Sequence, residues 1–129
     1  MDMLPVGTRY QRTHTITQEE INRFAVISGD TNPIHIDPVV AATSRFGRTI
    51  AHGMLLYGYI RAALRTLAPQ AVQRTQTLSF THPVFADDRV TVEVEVIERQ
   101  ATTIRCAVSV TRQDGKVACG GETELEIRA

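Results

Sequence analysis

The chain is short of covalent staples and of net charge: it has two cysteines, a single lysine, and fourteen basic against fourteen acidic side chains in 129 residues. A formal charge of zero at pH 7 gives no reason to expect electrostatic capture by nucleic acid or an anionic membrane. Both cysteines, Cys106 and Cys119, fall in apolar alternating segments where a thiol acts as a small hydrophobe, so a disulfide framework is not expected. No apolar run approaches the roughly 20 residues that cross a bilayer. The stretch Met1–Gln11 also lacks the apolar segment of a signal peptide, and a cytoplasmic location is expected. Repeats, low-complexity tracts and Ser/Gly/Pro-rich linkers are missing, so residues 1–129 are expected to form one domain. No serine nucleophile elbow or reactive-cysteine context supports covalent catalysis.

What is present is a change in hydrophobic period along the chain. Thr17 with Glu20 forms a capping box, and Ile21, Phe24, Ala25 and Ser28 follow at helical spacing, which predicts a short helix ending near Gly29. Asp37-Pro38 supplies an N-cap and a first-turn proline for a second helix, Val39 to about Arg45, stopped by Gly47. From His52 to about Ala68 the apolar residues cover most of a helical circumference, which predicts a buried helix with Arg61 and Arg65 as a narrow polar stripe. After Pro69 the period becomes two: Leu78 and Phe80, Val90 to Val96, Ile104 to Val110, then Val117, Leu125 and Ile127. Ala86-Asp87-Asp88 and Gln113-Asp114-Gly115 mark turns, and a weaker first strand spans about Thr8 to Thr15. The sum is an α+β domain, an antiparallel sheet wrapped on one long helix, with short helices inserted before it.

The segment with chemical content is Ser28-Gly29-Asp30-Thr31-Asn32-Pro33-Ile34-His35-Ile36-Asp37. Pro33 pushes Asn32 out of the α region, which predicts a bent loop with Asp30 and His35 on either side of one spot. An aspartate and a histidine at short range are the minimum equipment for general acid–base work on one water. The same residues also make an ordinary turn, with Asp30 on backbone amides and His35 as a hydrogen-bonded core histidine. A metal site from Asp30, His35, Asp37 and His52 matches no usual spacing, so no metal is expected. His14 and His82, on strand positions, read as structural.

Gly29-Asp30-Thr31-Asn32-Pro33-Ile34-His35, then Asp37-Pro38, Ala41, Phe46-Gly47 and Ile50-Ala51-His52-Gly53-Met54-Leu55, resemble the MaoC-like (R)-specific enoyl-CoA hydratases, or hydratase 2. Pro83-Val84 and the strands after it fit that layout too. The resemblance implies a hot-dog fold, a homodimer, no cofactor, and reversible syn addition of water to a trans-2-enoyl-CoA thioester to give an (R)-3-hydroxyacyl-CoA, with acyl carrier protein as another possible carrier. It implies that Asp30 and His35 are the catalytic dyad and that Asn32 supports their loop. Gly53, at the start of the buried helix, is implied as the amide donor to the thioester oxygen; its first-turn N–H groups lack helical partners and a glycine admits close approach. Gly53 can equally serve packing at a crowded helix start.

The substrate contacts expected on the same basis are Asn32, His52, Met54 and Arg61, with His52 also read as a structural tie between helix and loop. Where relatives often carry small hydroxyl residues, this chain has Leu56-Tyr57-Gly58-Tyr59-Ile60-Arg61. Arg61 either faces the acyl pocket, where it shortens the tunnel or meets a substrate carboxylate, or it faces the dimer surface as a solvated charge. Thirteen of the basic residues are arginines, which suits phosphate binding and equally reflects codon usage. Arg45, Arg48, Arg74 and Arg89 are the candidates for CoA. An acyl-CoA thioesterase and a non-catalytic acyl-thioester-binding subunit are the alternatives on the same fold.

Overall fold

The computed structural model describes residues 4–128; Met1 to Met3 and Ala129 lie outside it. In chain order the elements are β1 (Arg9–Thr15), α1 (Gln18–Ser28), α2 (Pro33–Ile36), α3 (Pro38–Ala42), α4 (Gly53–Leu67), β2 (Ala71–Gln76), β3 (Ser79–Phe80), β4 (Arg89–Arg99), β5 (Thr103–Arg112) and β6 (Val117–Ile127). The strands form one six-stranded antiparallel sheet in the order β1-β4-β5-β6-β2, with β3 paired to β6. It curves around α4.

The period-two pattern decides which side of the sheet is dry. Val90, Val92, Val94 and Val96 of β4 and Ile104, Cys106, Val108 and Val110 of β5 are buried against the helix. Glu93 and Glu95 alternate with the valines, Glu98 turns outward after a register shift beyond Val96, and pairs such as Arg9–Glu93 and Arg105–Glu98 decorate the sheet's outer face. From α4 the residues Leu56, Ile60, Ala63 and Leu64 enter the core, each large side chain contributing about 1.5–3 kcal/mol by burial.

Four expectations differ from the structure, each for a local reason. The helix expected to be buried all round is buried on one face; Met54 is 56% exposed, and Gly58 and Arg65 also face outward. Leu55, Tyr57, Tyr59 and Leu67 are half-buried against the core, and Met54 is the large apolar residue of α4 left exposed. The bent loop contains a one-turn helix, α2, because Asn32 caps it and Pro33 fits its first position. The helix expected to reach Arg45 stops at Ala42, where Thr43 and Ser44 return their hydroxyls to the Val40 and Ala41 carbonyls. Strand β2, Ala-Val-Gln-Arg-Thr-Gln, carries too few apolar residues to show a period, being an edge strand with a wet side.

The helix that leads into the candidate site is pinned at its beginning. Thr17 and Glu20 form the capping box, and Glu20 also takes hydrogen bonds from Tyr59 of α4 and from His14 of β1, the latter at 2.9 Å. Burial alone would raise the Glu20 pKa, but the bonds from Tyr59, His14 and the Thr17 amide outweigh it and hold it below the usual value. Burial and the same carboxylate push the Tyr59 hydroxyl up, so the phenol stays a donor.

Candidate active site

Helix α1 ends on Gly29, whose φ of 81° is left-handed and whose N–H returns to the Ala25 carbonyl at 2.9 Å. That turn throws Asp30 away from the helix axis. The Asp30 N–H donates to Ser28 Oγ at 3.1 Å, and Asp30 Oδ1 accepts from the Asn32 N–H at 3.4 Å. One carboxylate oxygen therefore holds the loop. The other, Oδ2, lies 3.9 Å from His35 Nε2.

His35 is fixed from its other side. Its Nδ1 is 2.9 Å from the Ile50 carbonyl, an acceptor only, so Nδ1 carries the proton and Nε2 presents a lone pair toward Asp30. The gap from that lone pair to Oδ2 exceeds a direct hydrogen bond of about 2.7–3.2 Å and leaves each group free to bond a shared water. Asn32 caps α2 by accepting from the Ile34 N–H at 3.1 Å, so its side-chain oxygen supports the loop.

His52, the residue before α4, is 3% exposed. Its Nε2–H donates to the Asp30 carbonyl at 2.9 Å, its ring stacks on His35 with centroids 3.8 Å apart, and Phe24 of α1 meets it edge-on at 4.9 Å. Burial pushes the His52 pKa below its ordinary 6.5; the bond to Asp30 pulls upward, and His35 adds to the depression. His52 Nδ1 is buried without a partner, so protonation would bury an N–H with no acceptor beside another imidazole. The unfolded chain therefore takes up this proton first as pH falls. Stability linked to His52 is full above pH about 6.5 and is lost on acidification toward the folded-state pKa. The midpoint of thermal unfolding should fall between pH 7.5 and 5.5, and His52→Gln, which can still donate to Asp30, should flatten that dependence. An unchanged slope in the variant would assign the acid sensitivity to another group.

Asp30, His35 and His52 place one potential ligand atom each within 4.8 Å of one another. The donor set does not suit an ion. The two rings are stacked at 22°, so their in-plane lone pairs run side by side, and each ring already spends one nitrogen on a carbonyl.

A cleft of about 390 Å³ opens beside the dyad, with His35, Gly53, Leu56, Phe80, Arg45 and His82 among its lining residues. Gly53 begins α4, whose N-terminus has no side-chain cap, leaving first-turn amides turned outward. The Phe80 ring lies directly on Gly53: a β-carbon there would stand 2.8 Å from its Cε1. Asp30, Asn32, His52, Met54 and Arg61 do not line this cleft. Met54 and Arg61 lie on the open side of α4, and Arg61 is partly buried there. Among the arginines, Arg45 lines the cleft, whereas Arg74 pairs with Glu126 at 2.6 Å and Arg48 lies over the Phe85 ring.

Residues 5–117 match the family described as the MaoC like domain. The chain belongs to the MaoC-like family. It is 35% identical over 128 residues to the (R)-specific enoyl-CoA hydratase of Aeromonas caviae, covering 96% of both chains. It is 41% identical to the 3-hydroxybutyryl-CoA dehydratase of Methylorubrum extorquens, covering 96% of this chain and 81% of that one. Among solved structures, the R-hydratase PhaJ1 of Pseudomonas aeruginosa superposes with a TM-score of 0.91 at 40% identity, covering 96% of this chain and 82% of that chain. The fold is thus the hot-dog fold of MaoC-like hydratases.

Several residues around the cleft escape the sequence. Phe80 and His82 sit on a two-residue strand and just beyond it, too short a run to show which side faces α4. Gln18 and Thr49, which bond across 31 residues of chain, leave no spacing signal at all.

Proposed function

We propose that this MaoC-like protein adds water reversibly to trans-2-enoyl-CoA thioesters, giving (R)-3-hydroxyacyl-CoA. The observation that carries the reading is the 3.9 Å approach of Asp30 Oδ2 to His35 Nε2, close enough for both to bond one water, with His35 lining the same cleft as the uncapped start of α4. The names of its relatives, an (R)-specific enoyl-CoA hydratase and a 3-hydroxybutyryl-CoA dehydratase, support it.

The steps follow from the hydrogen bonds. Asp30 orients a water whose proton passes to His35 Nε2 as its oxygen bonds to Cβ. Electrons of the Cα=Cβ bond move toward the thioester oxygen, and the Gly53 N–H meets the developing charge. The His35 imidazolium, steadied by Asp30, then returns its proton to Cα. One histidine works on one face of the alkene, so H and OH enter syn, and the reverse sequence is dehydration. No cofactor or metal takes part in this scheme.

Arg45, on the cleft, is the cation we assign to the phosphates of CoA or of an acyl carrier protein. Two copies are expected to pair through the edge strand β2 and the open face of α4, which carries Met54, Gly58, Arg61 and Arg65. Substrate contact by Met54 or Arg61 then depends on the paired form. No helix among the described residues is long and apolar enough to cross a membrane; a cytoplasmic location accords with the CoA substrate.

The test is addition of crotonyl-CoA to the purified protein, following loss of the conjugated-thioester absorbance while titrating free thiol. Loss of absorbance without thiol, yielding the (R)-alcohol, is the expected result. Thiol release would instead make the protein a thioesterase, and an (S)-product would place the water on the opposite face.

A further inference from the structure

Gln18 opens α1, yet its side chain takes no part in the capping box, which Thr17 and Glu20 complete. Its amide oxygen accepts from the Thr49 hydroxyl at 2.6 Å, and its Nε2 donates to the His35 carbonyl at 2.8 Å and to Asn22 Oδ1 at 2.9 Å. Thr49 is buried and immediately precedes Ile50, whose carbonyl accepts the His35 Nδ1–H. Gln18 thus holds His35 by its backbone and, through Thr49, steadies the segment that supplies the acceptor for its ring. The direct backbone link between those two segments is the Ile50 N–H to the Ile34 carbonyl, a long 3.3 Å.

We propose that Gln18 is a positioning residue for the hydration reaction, with Thr49 as its second half: together they fix the tautomer and rotation of His35 so that Nε2 faces Asp30. This rests on the hydratase reading. The residue type fits the task. An amide can accept from a hydroxyl and donate to a carbonyl at once; glutamate lacks the donor and leucine lacks both. Gln18 and Thr49 do not line the cleft, so the pair acts on proton transfer, leaving substrate binding to other groups.

The experiment measures crotonyl-CoA hydration by Gln18→Leu, Gln18→Glu, Thr49→Val and Thr49→Ser, beside the Gln18→Leu/Thr49→Val double variant and the ¹⁵N signals of the His35 ring. Gln18→Leu should lower kcat about 30- to 100-fold with KM within about twofold, the size of loss that an ångström of misplacement causes. Gln18→Glu should fall with it, because the donor to the His35 carbonyl is gone. Thr49→Val should be slower than wild type and Thr49→Ser, which keeps the hydroxyl, should recover the rate. The double variant should be no worse than Gln18→Leu alone, since both substitutions break one bridge.

In the wild type the ring signals should report a proton held on Nδ1, and in Gln18→Leu a mixture of tautomers. Unchanged kcat in Gln18→Leu, a KM rise matching the kcat fall, or a Thr49→Ser variant as slow as Thr49→Val would overturn the proposal. If Gln18→Leu fails to fold, Gln18→Glu and the Thr49 pair decide it by the same criteria. A wild type inert toward crotonyl-CoA would count against the hydratase reading, while the tautomer signals would still decide the positioning role.

Discussion

Replacing Asp30 with Asn should lower hydration of crotonyl-CoA about 10³-fold, within the 10²–10⁴ range of positioned acid–base groups, and leave the fold in place. Asparagine keeps the oxygen that accepts from the Asn32 N–H, so the turn survives. It loses the charge that orients the water and steadies a protonated His35. The Asp30 side chain is 55% exposed, and exposed substitutions usually change stability by no more than about 0.5 kcal/mol. The melting temperature should therefore move by no more than about 2 °C. A rate loss with a large drop in melting temperature would point to the bland role, a carboxylate that merely builds the loop.

His35→Gln supplies the partner experiment. If one water is held by both groups, removing either breaks the same step, and the double variant should be close to the slower single one. Multiplicative losses would mean that Asp30 and His35 act in separate steps, and an Asp30→Asn variant that keeps more than a tenth of the wild-type rate would remove Asp30 from the dyad altogether.

The legible part of this molecule was the part written in periodicity and turn chemistry. Valines at alternate positions of β4 and β5 state both the strand and its buried face, and Thr17 with Glu20 marks the start of α1 to the residue. Strand β2 leaves no such pattern, because an edge strand with a solvated side needs few apolar residues. The exposed face of α4, with Met54, Gly58 and Arg65, is not legible in periodicity, which reports which residues are apolar and gives no account of what covers them.

The site divides in the same way. Asp30, Asn32, His35 and Gly53 are named by contiguous motifs, since the loop that carries the first three is local in sequence. The ring nitrogen that carries His35's proton, the stacking of His52 on it, and the Gln18–Thr49 bridge all depend on groups brought together by the tertiary fold. Local sequence does not encode such contacts. The choice between Met54 or Arg61 as pocket residues and as surface residues of α4 is of the same kind.

Gly53→Ala is the second substitution expected to have a large effect, and its cause can be resolved. The new methyl would lie 2.8 Å from Phe80 Cε1, 3.0 Å from Cζ and 3.2 Å from Cδ1. Phe80 is 52% exposed and belongs to a two-residue strand, so its ring can swing away at small cost in stability. Space for the substrate is the harder loss. A thioester oxygen must come within about 2.7–3.1 Å of the Gly53 nitrogen, and a methyl on the adjacent carbon obstructs that approach; removal of one oxyanion donor costs about 10²–10³ in rate, and a comparable fall is expected here.

Phe80→Ala in the Gly53→Ala background removes the clash with the ring and leaves the obstruction, so the rate should stay low; recovery would show that the displaced ring had blocked the cleft. Gly53→Pro adds bulk and removes the N–H together. His52 already has the extended ψ of 139° that suits a residue before proline, and the first helical position tolerates proline, so α4 should form. Because proline also deletes the donor, it should be slower than alanine by a further factor of about ten or more, and equal rates in the two variants would mean that the thioester oxygen takes its hydrogen bond from some other group.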